Sequence, residues 1–307
     1  MIYHCKAPLR IGLAGGGTDV SPYCDTYGGA VLNATISLYA HASIATTNDN
    51  LIFLHSKDRN EEEIFPTGSY LPINGCLDLH KAVYNRLQKD YPQPLTGFRL
   101  TTHTDAPTGS GLGTSSTLVV AIIGAFLEMY KLQMSKDAIA RYAFEIERND
   151  LGFSGGRQDQ YAAAFGGINF IEFFKNGETG ITPLNVSEAY KHTLERQLVL
   201  YFTDTSRNSA AIIDEQVKNV REKNENSIQA MHHLKEQAYL MKDIISNRHP
   251  DELGPVLHVG FSHKKNMAAN ISNLTIETLY AAAVNAGATG GKISGAGGGG
   301  FMVFYCP

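Results

Sequence analysis

The chain has 307 residues, 43% of them hydrophobic, and a formal net charge of −4. That length suits two medium domains or one large one around a sizeable core, and the slight acidity leaves no electrostatic footprint for nucleic acid or an anionic membrane. No apolar run reaches transmembrane length, Arg10 and Asp19 interrupt any signal-peptide pattern, and Cys5, Cys24, Cys76 and Cys306 lack metal-binding spacing, so reduced thiols in the cytoplasm are expected.

Ile2 to Gly12 reads as a strand entering Gly15-Gly16-Gly17, then Thr18-Asp19. Three consecutive glycines mark a sharp turn or a close backbone approach. Asp19 can accept two hydrogen bonds, which suits vicinal sugar hydroxyls; an Asx-turn or helix cap fits as well. Gly28-Gly29 makes another turn. From Leu32 to Ile44 apolar and polar residues alternate as a strand, with Leu51 to His55 as a short partner across the Asn48-Asp49-Asn50 turn. Glu61-Glu62-Glu63 reads as a solvated run. Leu77 to Tyr91 carries Leu79, Val83 and Leu87 at helical spacing, and Phe98, Leu100 and Thr102 alternate as a strand.

That strand leads into Pro107-Thr108-Gly109-Ser110-Gly111-Leu112-Gly113-Thr114-Ser115-Ser116-Thr117, followed by an apolar run from Leu118 to Leu127. Glycines at every second position let successive N–H groups turn toward one centre. The first turn of the buried helix adds free N–H groups and its positive dipole end, so the stretch suits a polyphosphate. A hydroxyl there can cap the helix or hold a phosphate-bound metal ion. The plain alternative is a glycine-rich turn with Ser/Thr caps and no ligand. The Walker pattern is absent, the protein-kinase H-R-D and D-F-G are absent, and the Rossmann spacing fails.

Ser135 caps a helix carrying Ile139, Ala143 and Ile146. Glu145, Glu147 and Arg148 close it. A carboxylate at a helix C-terminus is disfavoured by the dipole, so it either has a task or pairs with Arg148 at the surface. Gly155 and Gly156 then deliver Asp159 onto the start of a helix, where a plain N-cap is the simpler role. Phe170 to Phe174 is a strand. A polar stretch near 180 to 195 places the domain boundary between 185 and 186. Leu198 to Phe202 is a strand running into Thr203 to Ser209, where Arg207 with Ser209 forms either a phosphate clamp or a cap plus a surface Arg. Helices follow, and Lys292 to Gly300 packs five glycines into six positions ahead of the strand Phe301 to Tyr305. Packing alone does not justify such a run; it points to backbone apposed to another loop or a ligand.

The three glycine-rich segments together resemble the motifs of the GHMP kinases, which include galactokinase, homoserine kinase, mevalonate kinase and phosphomevalonate kinase. The first runs from Ala7-Pro8-Leu9-Arg10-Ile11 through Gly17-Thr18-Asp19, the second from Pro107 to Ser116, and the third from Lys292 to Phe301. They occur in family order and cover the whole chain. Within the family, Gly15-Gly16-Gly17-Thr18-Asp19 and the loop Thr205 to Ser209 look most like the heptose phosphate kinases.

The resemblance implies an α+β, two-domain GHMP kinase fold. Residues 1–185 would form the ribosomal S5 domain 2-like N-terminal domain and 186–307 a ferredoxin-like C-terminal domain. The family's last motif is usually followed by a further helix and strand, so a short C-terminus is expected after Pro307. The resemblance also implies ATP and Mg²⁺ as cofactors and a sugar phosphate as partner, and it leaves room for a homodimer. Pro107, Gly109, Ser110, Gly111, Leu112, Gly113, Thr114, Ser115 and Ser116, with Gly297 and Gly298, would surround ATP. Ser115 and Glu147 would hold the metal. Asp159 would be the catalytic carboxylate, with Arg10 lowering its pKa or stabilising the moving phosphoryl group. Thr18, Asp19, Gly28 and Gly29 would hold the sugar, and Arg207 and Ser209 its phosphate. The implied reaction is transfer to the anomeric hydroxyl of D-glycero-D-manno-heptose 7-phosphate. L-fucose kinase, a heptose 1-phosphate kinase, a regulator without catalysis and the family's decarboxylase branch are the alternatives.

Overall fold

A computed structural model describes residues 1–94, 96–204 and 209–307. The organising strand is β2, Gly29–Thr47. Along one edge it takes β1, Ile2–Ala14, antiparallel; along the other it takes β5, Gly97–Thr104, over residues 40–47 and β6, Ile168–Phe173, over residues 29–34. The strands β3, Leu51–Ser56, and β4, Glu61–Pro66, extend the sheet beyond β5, and β7, Thr179–Pro183, beyond β6.

Two expectations change here. Leu51 to His55 is a strand, but β5 lies between it and β2, so the 48–50 turn links non-adjacent strands. The Glu61 run is an edge strand rather than a free solvated stretch, its residues alternating between half-buried and exposed. Glu63 faces inward because the buried Lys81 meets it at 2.6 Å. Charge on an edge strand also discourages pairing with another chain.

Helices α2, Asp78–Asp90, and α3, Thr114–Tyr130, cover one face of this sheet. Val83, Leu87, Ile122, Ile123 and Phe126 pack there on Ile44, Ile52, Leu54 and Leu100. A second sheet is built from β8, Leu198–Phe202, β9, Gly290–Ile293, and β10, Phe301–Tyr305, in the order β8-β10-β9, all antiparallel. A ferredoxin-like unit has four strands; among the described residues this sheet has three.

Helices α8, Glu225–Asn247, and α9, Leu253–Lys265, tie the halves together. Leu9, Ile11 and Leu13 of β1 share one core with Met241, Ile244, Leu257, Val303 and Tyr305. A shared apolar core resists sliding of the two sheets, because interiors are close-packed. The cleft between them is lined by residues of both halves. Among the described residues no helix is long and apolar enough to cross a membrane.

Candidate active site

The cleft holds a cavity of about 310 Å³ whose walls come from all three glycine-rich segments. The β1–β2 ladder slips between Pro8 and Arg10. Such irregularities re-aim side chains. Here Arg10 N–H leaves the ladder and donates to the carbonyl of Leu112 at 3.1 Å. The Arg10 guanidinium, almost fully buried, donates through Nη1 to the carbonyl of Gly111 at 2.6 Å and through Nε to Asp159 Oδ1 at 2.7 Å. Nη2 lies 2.6 Å from the same oxygen.

Gly109, Gly111 and Gly113 all have φ near +77°, the left-handed region. Gly113 is the N-cap of α3 and no side chain caps that helix, so its first-turn N–H groups face the cavity. A Cβ on Gly113 would sit 3.1 Å from Asp159 Cγ, and one on Gly111 would sit 2.6 Å from the carbonyl oxygen of Ser294. The absence of side chains is thus what lets the loop touch the acidic residue on one side and the third motif on the other.

The third motif acts mainly as a brace. Ser294 Oγ donates to Gly111 O at 3.0 Å, and Phe301 N–H donates to Ser110 O at 2.8 Å. Gly295 and Ala296 line the cavity, whereas Gly297 and Gly298 do not. Those two pack on Ile271, whose carbonyl accepts from Gly298 N–H at 2.8 Å. Pro107, Ser110 and Leu112 also stay off the cavity wall: Pro107 starts the turn, Ser110 is enclosed, and Leu112 points into the core.

Asp159 lies in α5, Gln158–Phe165, and Asp19 is the cap of that helix. Asp19 Oδ2 accepts from the N–H groups of Arg157 and Gln158 at 3.0 and 3.1 Å; Oδ1 accepts from Gly17 N–H at 3.1 Å and from Gln158 Nε2 at 3.0 Å. A carboxylate has about four acceptor positions. They are filled by protein donors, so Asp19 caps the helix that carries Asp159, and it also lines the cavity. Burial raises the Asp19 pKa, with the Asp159 charge adding to it. Thr18 is fully buried and its hydroxyl bonds Ala30, while Gly29 packs on the Thr18 carbonyl and Gly28 ends a short helix. These three shape the turn and do not reach the cavity.

Glu147 sits in a π-helical turn, Ile146–Asp150, directly after α4, Lys136–Glu145. Such turns concentrate at functional sites. Its carboxylate is 2% exposed and lines the cavity. Burial raises its pKa, against the opposing charge of Arg148. Oε1 accepts from Ser116 Oγ at 3.0 Å and Oε2 from Gln160 Nε2 at 2.5 Å. Ser116 rather than Ser115 is therefore the hydroxyl on Glu147, because neighbouring helical residues point about 100° apart. Ser115 is exposed and also lines the cavity. Arg148 does pair with Glu147, at 3.7 Å and away from the surface, and it also clamps the 153–156 loop through the carbonyls of Phe153 and Gly156.

Ser209, the first residue of α7, Ser209–Arg221, lines the cavity. Arg207 lies outside the described residues. Sequence reasoning missed Gln158, Gln216 and Lys264, which also line the cavity. Nothing in their spacing marks them; Lys264 reads as one of three basic residues closing an ordinary amphipathic helix.

Family models match both halves: GHMP kinases N terminal domain over residues 78–167 and GHMP kinases C terminal over residues 240–307. A D-glycero-alpha-D-manno-heptose 7-phosphate kinase from Campylobacter jejuni is 44% identical over 98% of this chain and 88% of its own length. The chain belongs to the GHMP kinases. A crystal structure described as a D-glycero-D-manno-heptose 1-phosphate kinase from Bacteroides thetaiotaomicron superposes with a TM-score of 0.82 at 41% identity, covering 100% of this chain and 88% of the other. A bifunctional fucokinase/GDP-fucose pyrophosphorylase from Arabidopsis thaliana is more distant, 28% identical over 97% of this chain and 29% of its own length. As a GHMP kinase, the protein is an ATP-dependent phosphotransferase. The convergence of its first and second motifs on Asp159 is the geometry to be explained.

Proposed function

We propose that this GHMP kinase transfers the γ-phosphoryl group of ATP to the anomeric hydroxyl of D-glycero-D-manno-heptose 7-phosphate, giving the 1,7-bisphosphate for nucleotide-activated heptose. The observation that carries this reading is the Arg10–Asp159 pair against the Gly109–Gly113 loop. Phosphoryl transfer needs alignment and charge neutralisation more than covalent help. The loop and the start of α3 supply N–H groups for the phosphates. Asp159 accepts the hydroxyl proton; Arg10 holds its Oδ1, which leaves Oδ2 beside Gly113 to face the acceptor. Arg10 also places positive charge where the moving group passes. An anomeric hydroxyl is more acidic than an ordinary alcohol, so a carboxylate suffices as base. Kinship at 44% with a named heptose 7-phosphate kinase favours the heptose over L-fucose.

Glu147 and Ser115 both bring hard oxygen donors to the cavity wall and would hold a magnesium ion there, although the hydroxyl bonded to Glu147 is that of Ser116. When bound, Mg²⁺ neutralises charge on the ATP phosphates. Glu147→Gln removes the anionic donor while keeping the hydrogen-bonding shape, so the Mg²⁺ concentration for half-maximal rate should rise about tenfold or more. An unchanged Mg²⁺ titration would place the metal elsewhere. ATP supply puts the reaction in the cytoplasm, and a homodimer is the assembly to be tested by light scattering.

The acceptor is tested by offering heptose 7-phosphate, heptose 1-phosphate, free heptose and L-fucose with ATP and identifying the product by phosphorus NMR. A new anomeric phosphate on heptose 7-phosphate is expected. The name carried by the Bacteroides relative supplies the second reading. A product phosphorylated at position 7 from heptose 1-phosphate would overturn the first.

A further inference from the structure

Besides the glycine loop, the cavity wall includes Gly17, Gln216 and Lys264. These stand together at the first motif: Gln216 Oε1 lies beside Gly17, and Lys264 Nζ reaches the Gly16 carbonyl. Gln216 and Lys264 take no part in the phosphoryl transfer proposed above.

Lys264, in the last turn of α9, is 2% exposed. Its ammonium makes one hydrogen bond among the described residues, a long one of 3.5 Å to the carbonyl of Gly16. Arg10 and Arg148, the other cations on the cavity wall, are engaged with Asp159 and with the 153–156 loop. Asp19 lies close enough to attract Lys264 but has its acceptor positions filled. Gln216, in α7, is also 2% exposed, and its Nε2 is buried without a partner among the described residues. A buried donor left without an acceptor costs about 1–3 kcal/mol, and a buried ammonium more. Gln216 Nε2 without an acceptor and Lys264 with a single long one, on the wall of one cavity, suit a ligand that brings acceptor oxygens, and the charge of Lys264 suits an anion.

We propose that Lys264 and Gln216 form the subsite for the anionic group of the acceptor, so that this pair makes the enzyme prefer a phosphorylated sugar to a neutral one. This inference rests on the sugar phosphate reading of the same cleft. It assigns to Lys264 and Gln216, in α9 and α7, the acceptor contacts that the saturated Asp19 does not offer.

Burial and the Arg10 charge pull the Lys264 pKa down to about 8, against the attraction of Asp19. The charged groups facing it are Asp19, Arg10 and, from β9, Lys292, whose own pKa burial pushes well below the ordinary lysine value. Below pH 8 Lys264 carries its proton and attracts an anion; above it, that attraction fades.

The test compares parent, Lys264→Met, Lys264→Arg and Gln216→Leu with heptose 7-phosphate and with free heptose. Calorimetric binding of the sugar phosphate to the ADP-bound enzyme gives a readout independent of turnover, and ADP affinity serves as the folding control. For Lys264→Met the KM and Kd for heptose 7-phosphate should rise about 10- to 100-fold, the size of a lost charged hydrogen bond. The KM for ATP should stay near parent, and the preference for phosphorylated over free heptose should shrink by the same factor. Lys264→Arg should restore part of it. The rise of acceptor KM above pH 8 in the parent should flatten in Lys264→Met. Equal losses on phosphorylated and free heptose, or parent-like KM in Lys264→Met, would overturn the anionic subsite while leaving the kinase reading intact. A parent that binds and phosphorylates only a neutral sugar would overturn both.

Discussion

Replacing Asp159 by Asn is expected to lower kcat by about 10²–10⁴ while ATP still binds, the usual size of a general-base effect. The side chain is 24% exposed and held by Arg10 through Oδ1. An amide keeps the shape and an acceptor oxygen for Arg10, so the loop and the helix should keep their places. What disappears is the basic oxygen beside Gly113. KM for ATP should therefore change by no more than about threefold, because uniform binding is unaffected. The checks are steady-state kinetics and direct ATP-analogue binding on the same preparation. A variant within about twofold of parent kcat would remove Asp159 as the proton acceptor and leave Arg10 as the only catalytic side chain in the centre.

Gly156→Ala is expected to cost nearly as much without touching any reacting atom. A Cβ at this position would lie 1.9 Å from Asp19 Oδ2. That oxygen accepts the Arg157 and Gln158 N–H groups at the start of α5. The two cannot coexist, so either Asp19 or the helix start must move. Asp159 is the second residue of that helix. A displacement of about 1 Å at a reacting group costs on the order of 10²-fold in rate. Loss of the cap adds about 1 kcal/mol of destabilisation. The expected pattern is a large fall in kcat, a small fall in melting temperature and near-parent ATP binding. Parent-like kcat would show that Asp19 does not set the position of Asp159.

The glycine segments were legible because glycine at regular spacing has few structural uses. Gly111 is glycine since a Cβ would collide with the Ser294 carbonyl, and Gly113 since its φ of +76° is left-handed and a Cβ would crowd Asp159; such constraints leave a trace in sequence. Arg10 was legible by its place in the first motif, although the slip in the β1–β2 ladder that aims it was not. Asp19 was visible as an acceptor, but the donors that fill it come from residues 157 and 158, far along the chain. Register between distant strands failed for the same reason: the 48–50 turn looked like a hairpin, and only the sheet's closure by β5 shows otherwise. Lys264 and Gln216 were invisible, since a polar residue on an amphipathic helix normally faces water. Their burial depends on how α7 and α9 lean over the first motif, which no local pattern encodes.

The proposed reaction requires the sugar hydroxyl, the γ-phosphate and Asp159 to meet between the Gly109–Gly113 loop and the first motif. A crystal structure with a non-hydrolysable ATP analogue and heptose 7-phosphate tests it directly. The account predicts the phosphates on the N–H groups of Gly111 to Ser115, the anomeric oxygen about 2.6–3.2 Å from an Asp159 carboxylate oxygen, and the sugar's own phosphate beside Lys264. An acceptor bound with its anomeric oxygen away from Asp159, or a nucleotide whose phosphates avoid the loop, would contradict it.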